Sequence, residues 1–487
     1  MLKYFSVSFI LLLLIFTSSC TGIKNNKEQY LQSKYWTDQA LNDVLPHWSD
    51  KGLDTLNGMF YTNLDRNWKT FGSFDQSPAM IARHLFGYTA GYMMSGDEKL
   101  IQRAKEIKNY LIATSWDPEY GGWYDKISRD GMPVLTSKTT FGQVYIITGL
   151  TLYYFATHDA EVLQYIRKSN DLLEQKVWDA GTGGYFDSMN RDWTVNLNTK
   201  SFSSEITPVS GHLLYLYLAT RDVQYLQQTE KILDMVMTKM KDPKTGWILE
   251  NFDSQWNYTV KNRTVNEINT GHNIETAWML LRAFLLNGRK DYLDSAKQLS
   301  DKVHQYGFNK ESGAWYANFA KDNSAEHRPL AYWWTQAYGG MFNLNMYSLD
   351  KNPERLEVFS KGSDFWDKFF LDKKDGDTFQ GVSLSGEPID PVKANPYKAS
   401  YHNMENSLLN SLYLALWVNN EPATLHFKIR ASQNGEQLYP LPIEELNYKI
   451  EKVVINNEPY DLKGSNDLFV SLPELKDAHL EVTIRRQ

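Results

Sequence analysis

The sequence contains one cysteine in 487 residues, Cys20. A lone thiol closes no intramolecular disulfide, and its position next to the N-terminal segment excludes a cysteine nucleophile and a zinc–thiolate centre. Chemistry must therefore come from histidine, carboxylates, tyrosine, arginine or lysine. Basic charge is also scarce: 51 Lys+Arg stand against 58 Asp+Glu, a net charge of −7. Such a balance gives no surface for wrapping a polyanion and excludes nucleic acid as a partner. With 42% hydrophobic and 22% charged residues, what remains is a globular chain with ample core.

Long hydrophobic runs are missing except at the N-terminus, where the chain reads MLKYFSVSFILLLLIFTSSC. Lys3 supplies a positive start, Val7 to Phe16 an apolar stretch, and Thr17-Ser18-Ser19 the small residues that precede cleavage. About 20 apolar residues are needed to cross a bilayer, so this stretch is an export signal and not a span. A cysteine at that point resembles the lipobox of a bacterial lipoprotein, in which the thiol is lipidated and becomes the mature N-terminus. The expectation is a lipid-anchored, extracytoplasmic protein with residues 1–20 as signal peptide and 21–34 as linker.

Aromatic residues, by contrast, are abundant: 15 Trp, 30 Tyr and 23 Phe, or 14%. Flat rings suit the C–H faces of sugars. Many of these rings fall in a recurring phrase, an acidic or polar turn, a glycine, then one or two aromatics. It begins at Asp54, Asp117, Asp179, Asp242 and Asn309, with a degenerate sixth copy around Asp375 to Gly381. The glycines at 58, 122, 184, 246, 313 and 376 recur about every 63 residues, a period that holds a turn and two helices. Helical periodicity between the phrases, as in Ser77 to Met94 and Ile274 to Leu286, supports this reading. Six stacked helical hairpins predict a mainly α fold, an (α/α)6 toroid over residues 35–420 with a ligand cup lined by the inner helices. After Asn420, alternating stretches at Ala423 to Arg430, Tyr448 to Ile455, Leu468 to Leu472 and His479 to Ile484 predict a small antiparallel β domain over 421–487.

Two of the ten histidines open helical runs with a glutamate three residues on: His272 with Glu275, and His402 with Glu405. Positions i and i+3 share a helix face, so each carboxylate is placed to orient its imidazole or raise its basicity. The same spacing also suits a satisfied surface pair, and the residues alone leave both open. Neither pair has the further ligands that a metal site needs.

Three longer motifs carry more: Gly271-His-Asn-Ile-Glu-Thr-Ala-Trp-Met-Leu280, Trp333-Trp334-Thr-Gln336-Ala337, and Lys398-Ala-Ser-Tyr401-His402-Asn403. In order and spacing they resemble the motifs of the N-acylglucosamine 2-epimerase superfamily, as does the early Ala82-Arg83. The resemblance covers about residues 35 to 420 and implies an (α/α)6 barrel. It also implies proton transfer at C2 of a reducing mono- or oligosaccharide through an enediol, with no cofactor. Carried over, His272 and His402 are the acid/base pair, Glu275 the orienting carboxylate, and Arg83 the donor to the oxygen that becomes anionic. Trp333, Trp334, Gln336, Tyr401 and Glu405 complete the sugar site. Two positions depart from the family pattern: Tyr338 stands where glutamate is usual, and Glu405 where arginine is usual. Glu275 and Glu405 facing one cup also suit a glycoside hydrolase. A histidine with Tyr401 suits a uronate lyase, and a non-catalytic sugar-binding lipoprotein is the third alternative. In a bacterial host fed a labelled fatty acid, the wild-type chain is expected to take up label and Cys20→Ala to take up none; equal labelling of both contradicts the lipobox reading.

Overall fold

The computed structural model describes residues 26–259, 267–321, 329–431, 433–462, 465 and 467–487. Cys20 and the expected signal peptide, residues 1–20, lie outside the described residues. The chain is mainly helical, and its helices come in six pairs. They are α1 (33–51), α2 (Pro78–Ser95), α3 (Glu98–Ser115), α4 (Thr140–Thr157), α5 (160–177), α6 (202–220), α7 (223–240), α8 (Thr270–Asn287), α9 (Lys290–Gly307), α10 (Trp333–Asp350), α11 (353–370) and α12 (401–418). Among the described residues no helix is long and apolar enough to cross a membrane.

Two sequence patterns sort the helices. The even-numbered ones are buried all round; α4 has no charged residue and buries nearly its whole length, as a helix enclosed on every side must. The odd-numbered ones are amphipathic, as in α3, where Ile101, Ala104, Ile107 and Leu111 form a buried stripe. Contacts run from α2 to α4, α6, α8, α10 and α12, and α12 packs against α2 again. Within most pairs the connection is two residues long. Gly96, His158, Arg221, Gly288 and Lys351 adopt left-handed backbone and end the even helix, and in four of these connections the next residue, Asp97, Asp159, Asp222 or Asn352, caps the odd one. The opposite connections are long, so every extended loop lies at the N-terminal ends of the even helices.

Each long loop opens with the repeated phrase, and the structure explains its spelling. The backbone N–H of residue five of the phrase donates to the carbonyl of residue one in all six copies: Gly58 to Asp54, Gly121 to Asp117, Gly183 to Asp179, Gly246 to Asp242, Gly313 to Asn309 and Gly376 to Asp372. All six glycines have φ between 71° and 83°. The turn glycines of the second and third copies are thus Gly121 and Gly183, one residue before those expected, and the sixth turn begins at Asp372, before the expected Asp375. The first side chain accepts amide hydrogens from its own loop, as Asp117 does from Glu119 at 3.1 Å and Asn309 from Glu311 at 3.0 Å. In five copies its carboxylate also takes a cation: Arg129 on Asp54, Lys138 and Arg191 on Asp117, Lys200 on Asp179, Lys321 on Asp242, Lys393 and Arg66 on Asp372.

Beyond α12, strand Ala423–Ile429 pairs antiparallel with Ala478–Arg486, which pairs with Tyr448–Ile455 and that with Glu458–Pro459. Glu436–Leu438 pairs with Val470–Leu472. Strands 436–438 and 458–459 are too short to show alternation, and the sequence pattern did not predict them. Leu425, Phe427, Leu480, Val482 and Ile484 form the buried face.

Gly58 and Gly313 separate two costs of a side chain. A Cβ at Gly58 meets nothing within 4 Å, whereas one at Gly313 would sit 2.3 Å from the Lys361 carbonyl oxygen. Gly58→Ala is expected to lose only the left-handed backbone penalty, about 1 kcal/mol. Gly313→Ala is expected to lose about 3 kcal/mol or more, because backbone must also move. Chemical denaturation that ranks the two equally contradicts this account of the turn.

Candidate active site

A cavity of about 560 Å³ opens among the N-terminal ends of the even helices. Arg83 of α2, Phe141 and Tyr145 of α4, Phe202 and Thr207 of α6, His272 and Glu275 of α8, Trp333, Trp334 and Tyr338 of α10, and His402 of α12 line it. The lining is also rich in hydroxyls, with Thr139, Ser188, Ser201, Ser203 and Ser204, and with Asp187, whose carboxylate accepts from Ser201 at 2.6 Å and Ser204 at 2.5 Å. Tyr397 and Leu197 stand exposed at the mouth.

His272 sits in the first turn of α8. Asn269 caps this helix by accepting from the His272 N–H at 3.0 Å. The imidazole stacks on Phe202 with centroids 4.0 Å apart and planes at 15°, and Nδ1 is hydrogen-bonded to the Glu250 carboxylate. Burial opposes charge on this ring, but Glu250, with Glu275 adding to it, outweighs burial and raises its pKa above the ordinary value. The same pairing holds the Glu250 carboxyl below its usual range in spite of burial. Orientation of His272 therefore comes from Glu250 and not from Glu275. A residue 22 positions earlier is nearer than one three positions later because the loop before α8 folds back over its start. Glu275 lines the cavity; burial raises its pKa, and His272 and the Ser210 hydroxyl partly offset this.

His402 has the opposite surroundings. Its ring is boxed edge-on by Tyr401 at 4.8 Å, Tyr338 at 5.5 Å and Trp333 at 5.6 Å, and its Nδ1 is buried without a hydrogen-bond partner among the described residues. Burial, then the cations of Arg83 and Lys398, push its pKa well below the ordinary value, so the ring is neutral. Trp334 stands between the two imidazoles, 5.1 Å from His272 and 6.5 Å from His402. The Arg83 guanidinium lies 3.7 Å from the Tyr145 ring and donates to the Tyr397 carbonyl; its Nε is buried without a hydrogen-bond partner among the described residues.

Three expected site residues stand off the cavity wall. The Gln336 amide accepts from the Trp315 N–H at 3.0 Å and donates to the Gly313 carbonyl at 3.0 Å. Gln143 makes the same staple to Trp123, and Asn273 to Ile248, so Gln336 belongs to a repeated device that ties a long loop to its helix. Glu405 is fully buried and accepts from Tyr401 at 3.0 Å and Tyr215 at 3.1 Å, so its hydrogen bonds go to tyrosines and not to His402. Glu275 and Glu405 thus do not face one cup as an acid and base. Tyr401 touches His402 from behind. Sequence reasoning missed Glu250, Phe202 and Tyr145. For Glu250 a signal existed: it follows its phrase glycine by four residues, in the loop stretch that supplies Asp125 and Asp187, both of which also bond the start of the next helix. Among the described residues no three of His, Cys, Asp and Glu converge as a metal would require.

Two imidazoles whose basicities are shifted in opposite directions across one aromatic and hydroxyl-lined cavity are equipped for acid–base proton transfer on a small polar molecule. The family pattern described as N-acylglucosamine 2-epimerase (GlcNAc 2-epimerase) matches residues 58–406, and the chain belongs to that family. It is 27% identical over 383 residues to a cellobiose 2-epimerase of Bacteroides fragilis, covering 74% of this chain and 93% of that one. The N-acylglucosamine 2-epimerase of Bos taurus is 21% identical over 410 residues, covering 77% and 93%. The solved cellobiose 2-epimerase of Spirochaeta thermophila superposes with a TM-score of 0.72 at 22% identity, over 81% of this chain and 98% of that one.

Proposed function

We propose that the chain is a sugar 2-epimerase that inverts C2 of a reducing sugar, one histidine removing the C2 proton and a second delivering a proton to the opposite face. The observation that carries this reading is the charge asymmetry: a neutral His402 and a His272 whose protonated form Glu250 favours, both facing one cavity. In one direction His402 takes the C2 proton of the ring-opened aldose, and the electron pair left on C2 moves into an enediolate. His272 then delivers a proton to the other face of C2, and the roles exchange on return. Arg83 donates to the oxygen that becomes anionic, and six helix N-termini around the cavity favour the same negative charge. Trp333 and Trp334 offer faces for the sugar's C–H surfaces. A volume of about 560 Å³ falls within the range of ordinary ligand cavities, and the hydroxyl wall near Asp187 suits a polyhydroxylated substrate. The chemistry asks for no redox group.

In this reading the six helical pairs close an (α/α)6 toroid over residues 35–420, and residues 421–487 form an appended β unit. Incubation with mannose, glucose, N-acetyl amino sugars and short oligosaccharides in deuterated water tests it. The expected result is inversion at C2 with uptake of one deuteron and no chain shortening. His272→Asn and His402→Asn are each expected to lose about 10²- to 10⁴-fold in kcat. Shorter products, an unsaturated uronate, or binding without exchange that survives His272→Ala contradicts the reading.

A further inference from the structure

Two helical turns beyond Glu275, on the same face of α8, lies Arg282, fully buried. Its Nε donates to Glu444 Oε1 at 2.7 Å, and Nη2 lies 2.6 Å from the same oxygen. Glu444 does not come from the helices. It belongs to the segment after strand Glu436–Leu438, where Leu441, Ile443, Glu444 and Glu445 are all buried and Glu445 accepts from the Trp417 indole at 2.8 Å. The family match ends at residue 406, so a cation inside the matched span finds its partner outside it. The guanidinium also lies 5.1 Å from the rings of Tyr215 and Trp278. Tyr215 donates to Glu405, Glu405 accepts from Tyr401, and Tyr401 packs edge-on against His402. Arg282 Nη1, Glu405 Oε2 and Glu444 Oε2 are buried without hydrogen-bond partners among the described residues.

We propose that Glu444 is a positioning residue for the reaction: by holding Arg282 it leaves Glu405 to fix the Tyr401 and Tyr215 hydroxyls, and through Tyr401 the His402 ring. The proposal rests on the epimerase reading above. The ionisable groups around Glu405 are Tyr145 of α4, Tyr215 of α6, Glu275 and Arg282 of α8, Tyr338 of α10 and Tyr401 of its own helix. Of these only Arg282 is a cation. Burial pushes the Glu405 carboxyl up to about 7, against the pull of its tyrosine hydrogen bonds and Arg282. Removing the Glu444 charge strands a buried guanidinium, and Glu405 is the carboxyl best placed to answer it. Glu405 would then ionise and turn towards Arg282, loosening Tyr401.

The test is the protonated-carboxyl infrared band of Glu405 in the full chain without substrate, assigned by its loss in Glu405→Gln. In Glu444→Gln the band is expected to titrate about 1 to 3 pH units lower, with kcat reduced, the pH profile of kcat shifted the same way and KM unchanged. Glu444→Asp is expected to bring the band part of the way back. The double variant Arg282→Met/Glu444→Gln, which buries no lone cation, is expected to move the band above its wild-type position. Opposite displacements distinguish charge balance from simple loss of packing, which lowers the melting temperature and moves no band. If Glu444→Gln does not fold, the double variant decides alone: a raised band supports the proposal. A band unmoved in either variant, or moved the same way in both, overturns it. Band movement as predicted in a chain that turns over no sugar overturns the epimerase reading instead.

Discussion

The fold depends on one latch used six times. A phrase that starts with Asp or Asn and ends its turn on a left-handed glycine ties its own loop through backbone and side-chain hydrogen bonds. In five copies the carboxylate also binds a cation, and for Asp54, Asp117, Asp242 and Asp372 one such cation comes from another loop. Lys138 with Asp117, and Lys393 with Asp372, are fully buried pairs. Burial raises the cost of leaving either partner alone, so the loops are fixed in register. Long loops are normally the mobile part of a helical protein; here the described residues of these loops are held by ion pairs. The even helices therefore begin at defined places, and side chains from six helices meet across one cavity.

Chemistry follows from how differently two imidazoles are surrounded. His272 lies on a phenylalanine face with a carboxylate at Nδ1. His402 lies among aromatic edges with two cations near and no carboxylate bonded to it. An acid and a base that must work at one pH need opposite shifts, and a single residue type supplies both because its ordinary pKa lies between them. Glu405 and Tyr338, the two positions expected to depart from the family pattern, lie near His402: Tyr338 has its ring 5.5 Å from the imidazole, and Glu405 accepts from the Tyr401 that packs against it. Support for that layer extends to the β region through Arg282 and Glu444.

Much of this was legible in the sequence. The 63-residue period gave six pairs because each turn spends a glycine and an aromatic, and both are conspicuous in a string of letters. His272 and His402 stood out because each opens a helical run. The orienting partner of His272 was not legible from helical spacing, since Glu250 reaches it across a folded loop and i, i+3 logic sees only one helix. Gln336 read as a sugar contact because amides serve both roles. Only the geometry shows that it repeats Gln143 and Asn273. Glu444 had no signal at all: nothing in Leu-Pro-Ile-Glu-Glu says that its fourth residue reaches a buried arginine.

The two cavity histidines are shifted in opposite directions from the ordinary histidine value. Nitrogen NMR of histidine-labelled protein, assigned with His272→Asn and His402→Asn, reads this directly across a pH titration. The account predicts that His272 titrates above the ordinary value of 6.5 and His402 well below it. Glu250→Gln should lower the His272 pKa, because burial is then opposed by Glu275 alone, and should leave His402 where it was. Two histidines titrating together near 6.5, or a His272 indifferent to Glu250→Gln, would contradict it.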